Sequence, residues 1–184
     1  LANPLSKSGH RIIGVDLGGH RLKKTTRVFS SNPKASFLAA NIFSAPFAPE
    51  TFDVILLASA IQYFPDLLAL LNTLFQYLKP QGEIHIIDSP LYTSDDIPSA
   101  MQRSEQYYAS LGFPEMAKQY FHHCVTDLGT FDAQWLYHPS PRSFHQRLTR
   151  SVDSPFPWLA IGKQVAQRDA TISKAFSRTA KKYD

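Results

Sequence analysis

Blocks of apolar and polar residues alternate along this chain in a way that predicts strands and helices in turn. The clearest block is residues 52–90. Residues 54–58 are a short apolar run with β-branched members, which is typical of a strand covered on both faces. Pro65 and Asp66 suit the opening of a helix, because proline loses nothing in a first turn and an early carboxylate faces the positive end of the helix dipole.

This helix carries a wide apolar stripe and is expected to stop at Pro80 and Gly82, which form a turn with Lys79 and Gln81. The stripe at helical spacing is Leu67, Leu68, Leu70, Leu71, Leu74, Phe75 and Leu78. Residues 83–88 are the next apolar run. Two strands joined by a helix of this length form a right-handed crossover, so the pattern predicts a parallel pair.

The same alternation extends to both sides of this block. Gly9 suits the end of a helix, and a basic helix over 20–30 has Leu22, Val28 and Phe29 on its inner side. The other predicted strands are 10–16, 35–41, 131–138 and 156–162. The other predicted helices are 98–111, 114–127 and a short one around 144–150. A chain of this order folds as an α/β protein with a parallel sheet and helices on both faces.

Polar or small residues end several of these strands, where parallel α/β sheets bind their ligands. They are Asp16, Asn41, Ala58 with Ser59, and Asp88 with Ser89. A carboxylate such as Asp16 can accept hydrogen bonds from both hydroxyls of a ribose. A helix cap or a solvated turn aspartate is the alternative reading. The cofactor reading requires Asp16, Asn41 and Ala58 to cluster at one edge of a parallel sheet.

Composition narrows the classes of protein that fit. The 184 residues suffice for one domain, and 43% hydrophobic with 18% charged residues is typical of soluble globular proteins. The net charge of +4 comes mainly from the C-terminal residues, so a solvated basic helix is favoured over a nucleic-acid partner. The single cysteine, Cys124, fits a reducing, cytoplasmic setting. No apolar run approaches the roughly 20 residues of a membrane span.

Three stretches, RIIGVDLGGHRL, FLAANIFSAPFAPETFDVILLASAIQYFPD and LNTLFQYLKPQGEIHIID, resemble the class I S-adenosylmethionine-dependent methyltransferases that act on small molecules. The resemblance covers residues 11–88. It implies a ribose-binding acid at Asp16, followed by Leu17, and an adenine contact at Asn41, followed by Ile42. It also implies that Ala58 and Ser59 line the methionine side of S-adenosylmethionine.

The chain departs from this family in three places. Asn41 stands where an aspartate is common, and Gln81 replaces a glycine of the turn. The family's first strand, with its glycine-rich turn, precedes the acidic strand by roughly 20 residues, and only nine residues precede His10. We therefore expect an N-terminally truncated fragment that lacks the first strand and binds cofactor poorly.

The resemblance implies a three-layer Rossmann-like methyltransferase fold with a mostly parallel sheet and an antiparallel C-terminal strand. Residues 1–163 are expected to form this partial domain, with 91–130 as a helical substrate or lid insert. Residues 164–184 are expected to be a polar basic helix or tail.

The acceptor of the methyl group is predicted to be a small molecule near Gln62, Tyr63 and Tyr92. No catalytic residue is assigned, because alignment of the acceptor with the methyl group supplies much of the rate. Tyr63 is equally well explained as an aromatic cover of the core. His122, His123 and Cys124 suggest zinc, but no second ligand pair at metal spacing follows, so no metal is predicted and a helix-surface pair or a lid histidine is favoured.

Two other functions remain open. A nicotinamide-dependent oxidoreductase could use Asp16 on the adenosine ribose, although the chain has no Tyr-x-x-x-Lys catalytic pair. A non-catalytic α/β domain could use its aromatic C-terminal half to bind a partner. The resemblance favours methyl transfer over both.

Overall fold

The structure, a computed structural model, describes residues 2–139 and 154–163. The chain divides into two compact units, Leu1–Ala48 and Pro49–Asp184. The short helix expected around 144–150 and the tail 164–184 lie outside the described residues.

The first unit is built from two helices and two parallel strands. In chain order these are α1 (Ala2–Lys7), β1 (Ile12–Asp16), α2 (Gly19–Val28) and β2 (Ala35–Ala39). Gly9 follows α1 with a φ of 98°, the left-handed conformation in which glycine ends helices. Strands β1 and β2 pair in parallel from Ile12 to Asp16. The strand and helix order predicted for this region is therefore confirmed.

Two details of burial in the first unit differ from the prediction. Val28, expected on the inner side of α2, is 77% exposed. It is the last residue of α2, and the next residue, Phe29, packs on Phe37 of β2 instead, with ring centroids 5.3 Å apart. Strand β2 has half-buried and exposed residues only, whereas an apolar strand inside a sheet with helices on both faces would be buried.

The second unit contains a four-stranded mixed sheet in the order β3-β4-β6-β5. Its strands are β3 (Phe52–Ala58), β4 (Leu78–Ile87), β5 (Ala133–Tyr137) and β6 (Trp158–Gly162). Strand β4 runs parallel to β3, whereas β6 runs antiparallel to both β4 and β5. Three strands therefore share one direction, and the last strand is the antiparallel one, as predicted.

Helix α3 (Leu67–Tyr77) supplies much of the core of the second unit. Leu70, Leu71 and Leu74 are at most 1% exposed, whereas Leu68, also counted in the stripe, is 47% exposed. The carboxylate of Asp66 accepts a hydrogen bond of 2.8 Å from the N–H of Ala69 and caps the helix. Asp66 therefore starts the helix as predicted.

The Lys-Pro-Gln-Gly segment is part of β4 and does not form the predicted turn that ends the helix. Helix α3 ends at Tyr77, because Leu78 has an extended backbone, with a φ of −85° and a ψ of 135°, and pairs with Phe52. Val54 pairs with Glu83, so residues 79–82 bulge out opposite Asp53 alone. Lys79 holds this bulge through an ion pair of 2.8 Å with the Asp53 carboxylate.

Residues 114–127 were predicted to form one helix, and they do not. After helix α4 (Ile97–Ser110) come a 3₁₀ turn at Pro114–Gln119, an extended segment 120–124 and a second 3₁₀ turn at Val125–Leu128. Helix α4 itself, closed by Gly112 at a φ of 81°, agrees with the prediction. His122, His123 and Cys124 thus lie on extended chain.

Strands β1 and β3 each have a paired neighbour on one side only within the described residues. Ile13 of β1 is 44% exposed, and Val54 and Leu56 of β3 are 55% and 37% exposed. Among the described residues, each unit therefore has an apolar strand at an edge of its sheet.

Candidate functional site

Asp16 and Asn41 lie at the same end of the first unit's sheet. Asp16 pairs with Ala39 at the carboxyl ends of β1 and β2. The N–H of Ala40 then donates a hydrogen bond of 3.1 Å to the carbonyl of Asp16, which brings Asn41 within one residue of that contact. The prediction that these two side chains share a carboxyl edge is confirmed.

Both side chains have a local partner and polar capacity to spare. Oδ1 of Asp16 accepts 2.6 Å from the N–H of Gly18, and Oδ1 of Asn41 accepts 3.1 Å from the N–H of Phe43. Within the described residues no hydrogen bond occupies Oδ2 of Asp16 or Nδ2 of Asn41. Leu17 is 74% exposed beside them, and Ile42 opens a short 3₁₀ turn. This edge thus offers an acceptor, a donor and an apolar surface.

Ala58 and Ser59 lie at the carboxyl end of β3, in the second unit. Ala58 pairs with Ile87 of β4, and both residues leave the sheet at the same end. Ser59 and Asp88, the next residue of each strand, have left-handed φ values of 49° and 50°. Strained residues of this kind persist where surrounding contacts hold them, and they concentrate at functional sites. The predicted proximity of Ala58 to Asp16 stays a prediction.

Gln62 is held in a short 3₁₀ turn after β3 and is 6% exposed. Its Nε2 donates 3.0 Å to the carbonyl of Ser59. Its Oε1 is buried and has no hydrogen-bond partner within the described residues. Native proteins satisfy nearly all buried acceptors, so an unpaired one points to a missing donor.

The extended segment 120–124 is fastened to the loops after β3 and β4. Main-chain Phe121 N–H donates 2.8 Å to the carbonyl of Gln62, and Nε2 of the buried His123 donates 2.9 Å to the carbonyl of Ile61. Tyr92 pairs with Cys124 in a parallel bridge. These bonds bring Tyr120 and His122 to the carboxyl end of the sheet.

Five side chains meet there, which we call the aromatic–histidine cluster: Tyr63, Tyr92, Tyr108, Tyr120 and His122. Tyr120 is central, with ring centroids 6.2 Å from Tyr63, 6.2 Å from Tyr108 and 5.2 Å from His122. Tyr92 lies 5.4 Å from His122. The rings are tilted or edge-to-face, the arrangement that aromatic quadrupoles favour. Two of the three predicted acceptor residues, Tyr63 and Tyr92, belong to this cluster.

Burial changes the acid–base properties of the cluster. It raises the pKa of Tyr120 to about 12, with a further contribution from the neighbouring tyrosines. Burial also lowers the pKa of His122, although a hydrogen bond to the carbonyl of Ala100 opposes the effect. Nε2 of His122 lies 2.9 Å from the hydroxyl of Ser104 on α4. Burial raises the pKa of Tyr92 and Tyr108 as well, so at neutral pH the imidazole is uncharged and Tyr92, Tyr108 and Tyr120 are protonated.

Sequence reasoning did not place Ser104, Tyr108, Tyr120 or His122 among the site residues. Tyr108 and Ser104 are four residues apart on α4 and so lie on one helical face, which is a readable signal. The positions of Tyr120 and His122 carried no such signal, because a helix was expected there. Within residues 2–139 and 154–163 there is no group of three metal-ligating side chains and no helix long and apolar enough to cross a membrane.

Comparisons with known proteins bear on both halves of the chain. Residues 1–86 match a family described as "Methyltransferase domain". A demethylmenaquinone methyltransferase of Lactococcus lactis is 27% identical over 113 residues, which are 60% of this chain and 43% of that protein. A 2-phytyl-1,4-naphtoquinone methyltransferase of Thermosynechococcus vestitus is 26% identical over 120 residues, 65% of this chain and 51% of the relative. The chain thus spans about half the length of these relatives.

A solved structure shares the fold over most of the chain. The structure of a SAM-dependent methyltransferase from Methanosarcina mazei has a TM-score of 0.58 and 12% identity, covering 90% of this chain and 87% of that one. The expected α/β, Rossmann-like fold is therefore confirmed.

Proposed function

We propose that the chain is part of a class I methyltransferase and transfers the methyl group of S-adenosylmethionine to a small-molecule acceptor. The observation that supports this most is the shared carboxyl edge of Asp16 and Asn41, inside the stretch that matches a methyltransferase domain. Bound S-adenosylmethionine supplies an electrophilic methyl group, and the protein's task is to align an acceptor with it.

The free groups of the first unit fit the adenosine half of this cofactor. Oδ2 of Asp16 accepts hydrogen bonds from the ribose hydroxyls, and Nδ2 of Asn41 donates to an acceptor on the adenine edge. The exposed Leu17 and the neighbouring Ile42 give the adenine ring an apolar surface. In the second unit Ala58 and Ser59 bind the methionine half.

Residues 91–130 are proposed as the part that recognises the acceptor, within a methyltransferase domain of residues 1–163. The segment contributes Tyr92 and α4, and the loop after β3 contributes Gln62 and Tyr63. The names of the two curated relatives contain a demethylated menaquinone and a naphthoquinone. A small apolar ring acceptor is accordingly favoured over a nucleic acid, and a cytoplasmic location stays a prediction.

Calorimetric titration of the 184-residue chain with S-adenosylhomocysteine and with NAD separates the proposal from its alternatives. We expect saturable binding of S-adenosylhomocysteine and none of NAD. Asp16→Asn should weaken that binding about tenfold, since one charge-assisted hydrogen bond is lost. The matched control Asp95→Asn changes an exposed carboxylate and should leave it unchanged. Binding of NAD in place of S-adenosylhomocysteine would support the oxidoreductase. If neither compound binds, the result would support a non-catalytic domain.

A further inference from the structure

The aromatic–histidine cluster is accessible from solvent and is assembled from four separate segments. Tyr63 follows β3, Tyr92 follows β4, Tyr108 lies on α4, and Tyr120 with His122 lies on segment 120–124. Tyr63 is 57% exposed, and the other four side chains are half-buried. Aromatic rings serving only as core would be covered, so the partial exposure leaves ring surface for a guest.

The geometry of the rings suits a flat apolar guest. Neighbouring centroids are 5.2 to 6.2 Å apart, and none of these pairs is stacked face to face. The ring faces are therefore not used up by one another. A planar aromatic ring can pack against such faces with a large contact area and little loss of side-chain freedom.

One end of the cluster is polar. His122 contacts the Ser104 hydroxyl at 2.9 Å, and the groups that face it are the Arg103 guanidinium on α4, His123 on its own segment, and Tyr92 and Tyr120. Burial lowers the pKa of His122, so at neutral pH the imidazole is uncharged, and the oxygen of its Ser104 partner can accept a further hydrogen bond from a hydroxyl group.

Gln62 connects the loop after β3 to the segment that carries two residues of this cluster. Gln62 directly precedes Tyr63, and its main-chain carbonyl bonds to Phe121, directly after Tyr120. Its side-chain oxygen is buried and lacks a donor within the described residues. The loop that carries Tyr63 is therefore anchored by Gln62 against the segment that carries Tyr120 and His122.

We propose that the aromatic–histidine cluster is a binding site for a flat aromatic ring that carries a hydroxyl group. The ring packs among Tyr63, Tyr108 and Tyr120, and the hydroxyl bonds to the His122–Ser104 pair. The identity of this molecule as the methyl acceptor rests on the proposed function, whereas its binding does not.

The experiment titrates the full chain, without cofactor, with three probes of similar size. The probes are 2-naphthol, 2-methoxynaphthalene, which has no hydroxyl donor, and decahydro-2-naphthol, which has the hydroxyl but no flat ring. Binding is measured by calorimetry, and NMR shifts of the tyrosine and histidine rings locate it. We expect 2-naphthol to bind at least tenfold more tightly than either other probe.

Two variants test the aromatic contact and the hydroxyl contact separately. Tyr63→Leu, at an exposed position that does not threaten folding, should weaken 2-naphthol about tenfold through the loss of one aromatic contact. His122→Phe should remove the preference for 2-naphthol over 2-methoxynaphthalene. Phe113→Leu and His10→Phe change exposed residues outside the cluster and should change neither.

Equal affinity for the flat and saturated probes, no saturable binding of 2-naphthol, or binding unaffected by both cluster variants would each overturn the proposal. The two proposals fail separately. If 2-naphthol binds at the cluster while S-adenosylhomocysteine does not bind at all, the site stands and the methyltransferase function falls.

Discussion

The hydroxyl of Ser59 donates a hydrogen bond of 2.9 Å to the main-chain carbonyl of Asp88, and both residues have a left-handed backbone. They follow adjacent parallel strands, and the N–H of Ser59 also bonds to Ile87. A non-glycine residue in this conformation costs about 1 kcal/mol or more, so the two strand ends stabilise each other in a shape that neither would keep alone. The loops after β3 and β4, which carry Tyr63 and Tyr92 of the aromatic–histidine cluster, begin at these two residues.

Removing the Ser59 hydroxyl should show how much this hydrogen bond contributes to the free energy of unfolding. We expect Ser59→Ala to lower the free energy of unfolding by about 1 kcal/mol, through the lost hydrogen bond. Ser59→Gly loses the same bond but relieves the left-handed backbone, and should be about 1 kcal/mol more stable than the alanine variant. Urea unfolding of both variants checks the order. Equal stabilities would mean that the backbone at Ser59 is not strained.

Gly82 has no room for a side chain. A Cβ added there would lie 2.7 Å from Cγ of Leu78 and 2.8 Å from the main-chain oxygen of Asp53, and the latter cannot rotate away. Gly82→Ala should therefore destabilise the fold by about 1–3 kcal/mol. Gly162→Ala, where a Cβ would meet nothing within 4 Å, is the matched control and should cost far less. Similar melting temperatures for the two variants would contradict the tight bulge at residues 79–82.

The cap of α3 is expected to contribute to stability through a single carboxylate. Asp66→Ala removes the acceptor for the N–H of Ala69 and should lower the free energy of unfolding by about 1 kcal/mol. Asp95→Ala removes an exposed carboxylate near the start of α4. The residue directly before this helix is Asp96, so Asp95 does not occupy the cap position. It should change stability by less than about 0.5 kcal/mol. A loss at Asp66 no greater than at Asp95 would contradict the capping role.

His122 should make the fold sensitive to mild acid. Burial lowers its pKa below the ordinary 6.5 in the folded protein, so below pH 6.5 the unfolded chain binds more protons than the folded one. The free energy of unfolding should fall as the pH drops below 6.5 and level off below the folded-state pKa. His122→Phe should flatten this part of the curve, and His10→Phe, at an exposed position, should not. If His122→Phe leaves the slope of stability against pH unchanged, a group other than His122 causes the sensitivity to acid.

Local signals in the sequence explain the parts of the fold that could be predicted. Asp66 caps α3 and Gly9 ends α1 through bonds within four residues, which is the range that residue type and spacing report. Asp16 and Asn41 were found by the rule that parallel strands present ligands at their carboxyl ends. Nothing beyond neighbouring strands was needed for these predictions.

The conformation of segment 120–124, which carries part of the proposed acceptor site, could not be predicted because it depends on contacts with residues far away in the sequence. Residues 120–124 were expected to continue a helix, but their partners, Gln62, Ile61 and Tyr92, lie 31 or more positions away. The pairing of Leu78 with Phe52 likewise ends α3 before Pro80 and Gly82, where it was expected to stop. Periodicity does not report contacts of this range, so His122 was placed on the wrong element.

The position of β6 has a consequence for the order in which the second unit can form. Strand β6, the last described strand in the chain, lies between β4 and β5 and pairs with both. Until residues 158–162 emerge during synthesis, β5 has no ladder and β4 has one bare side. The closing step joins Trp158 to Ile87 across 71 positions, and contacts of such long range form slowly. Until β6 pairs with them, the unpaired edges of β4 and β5 can pair with strands of other nascent chains.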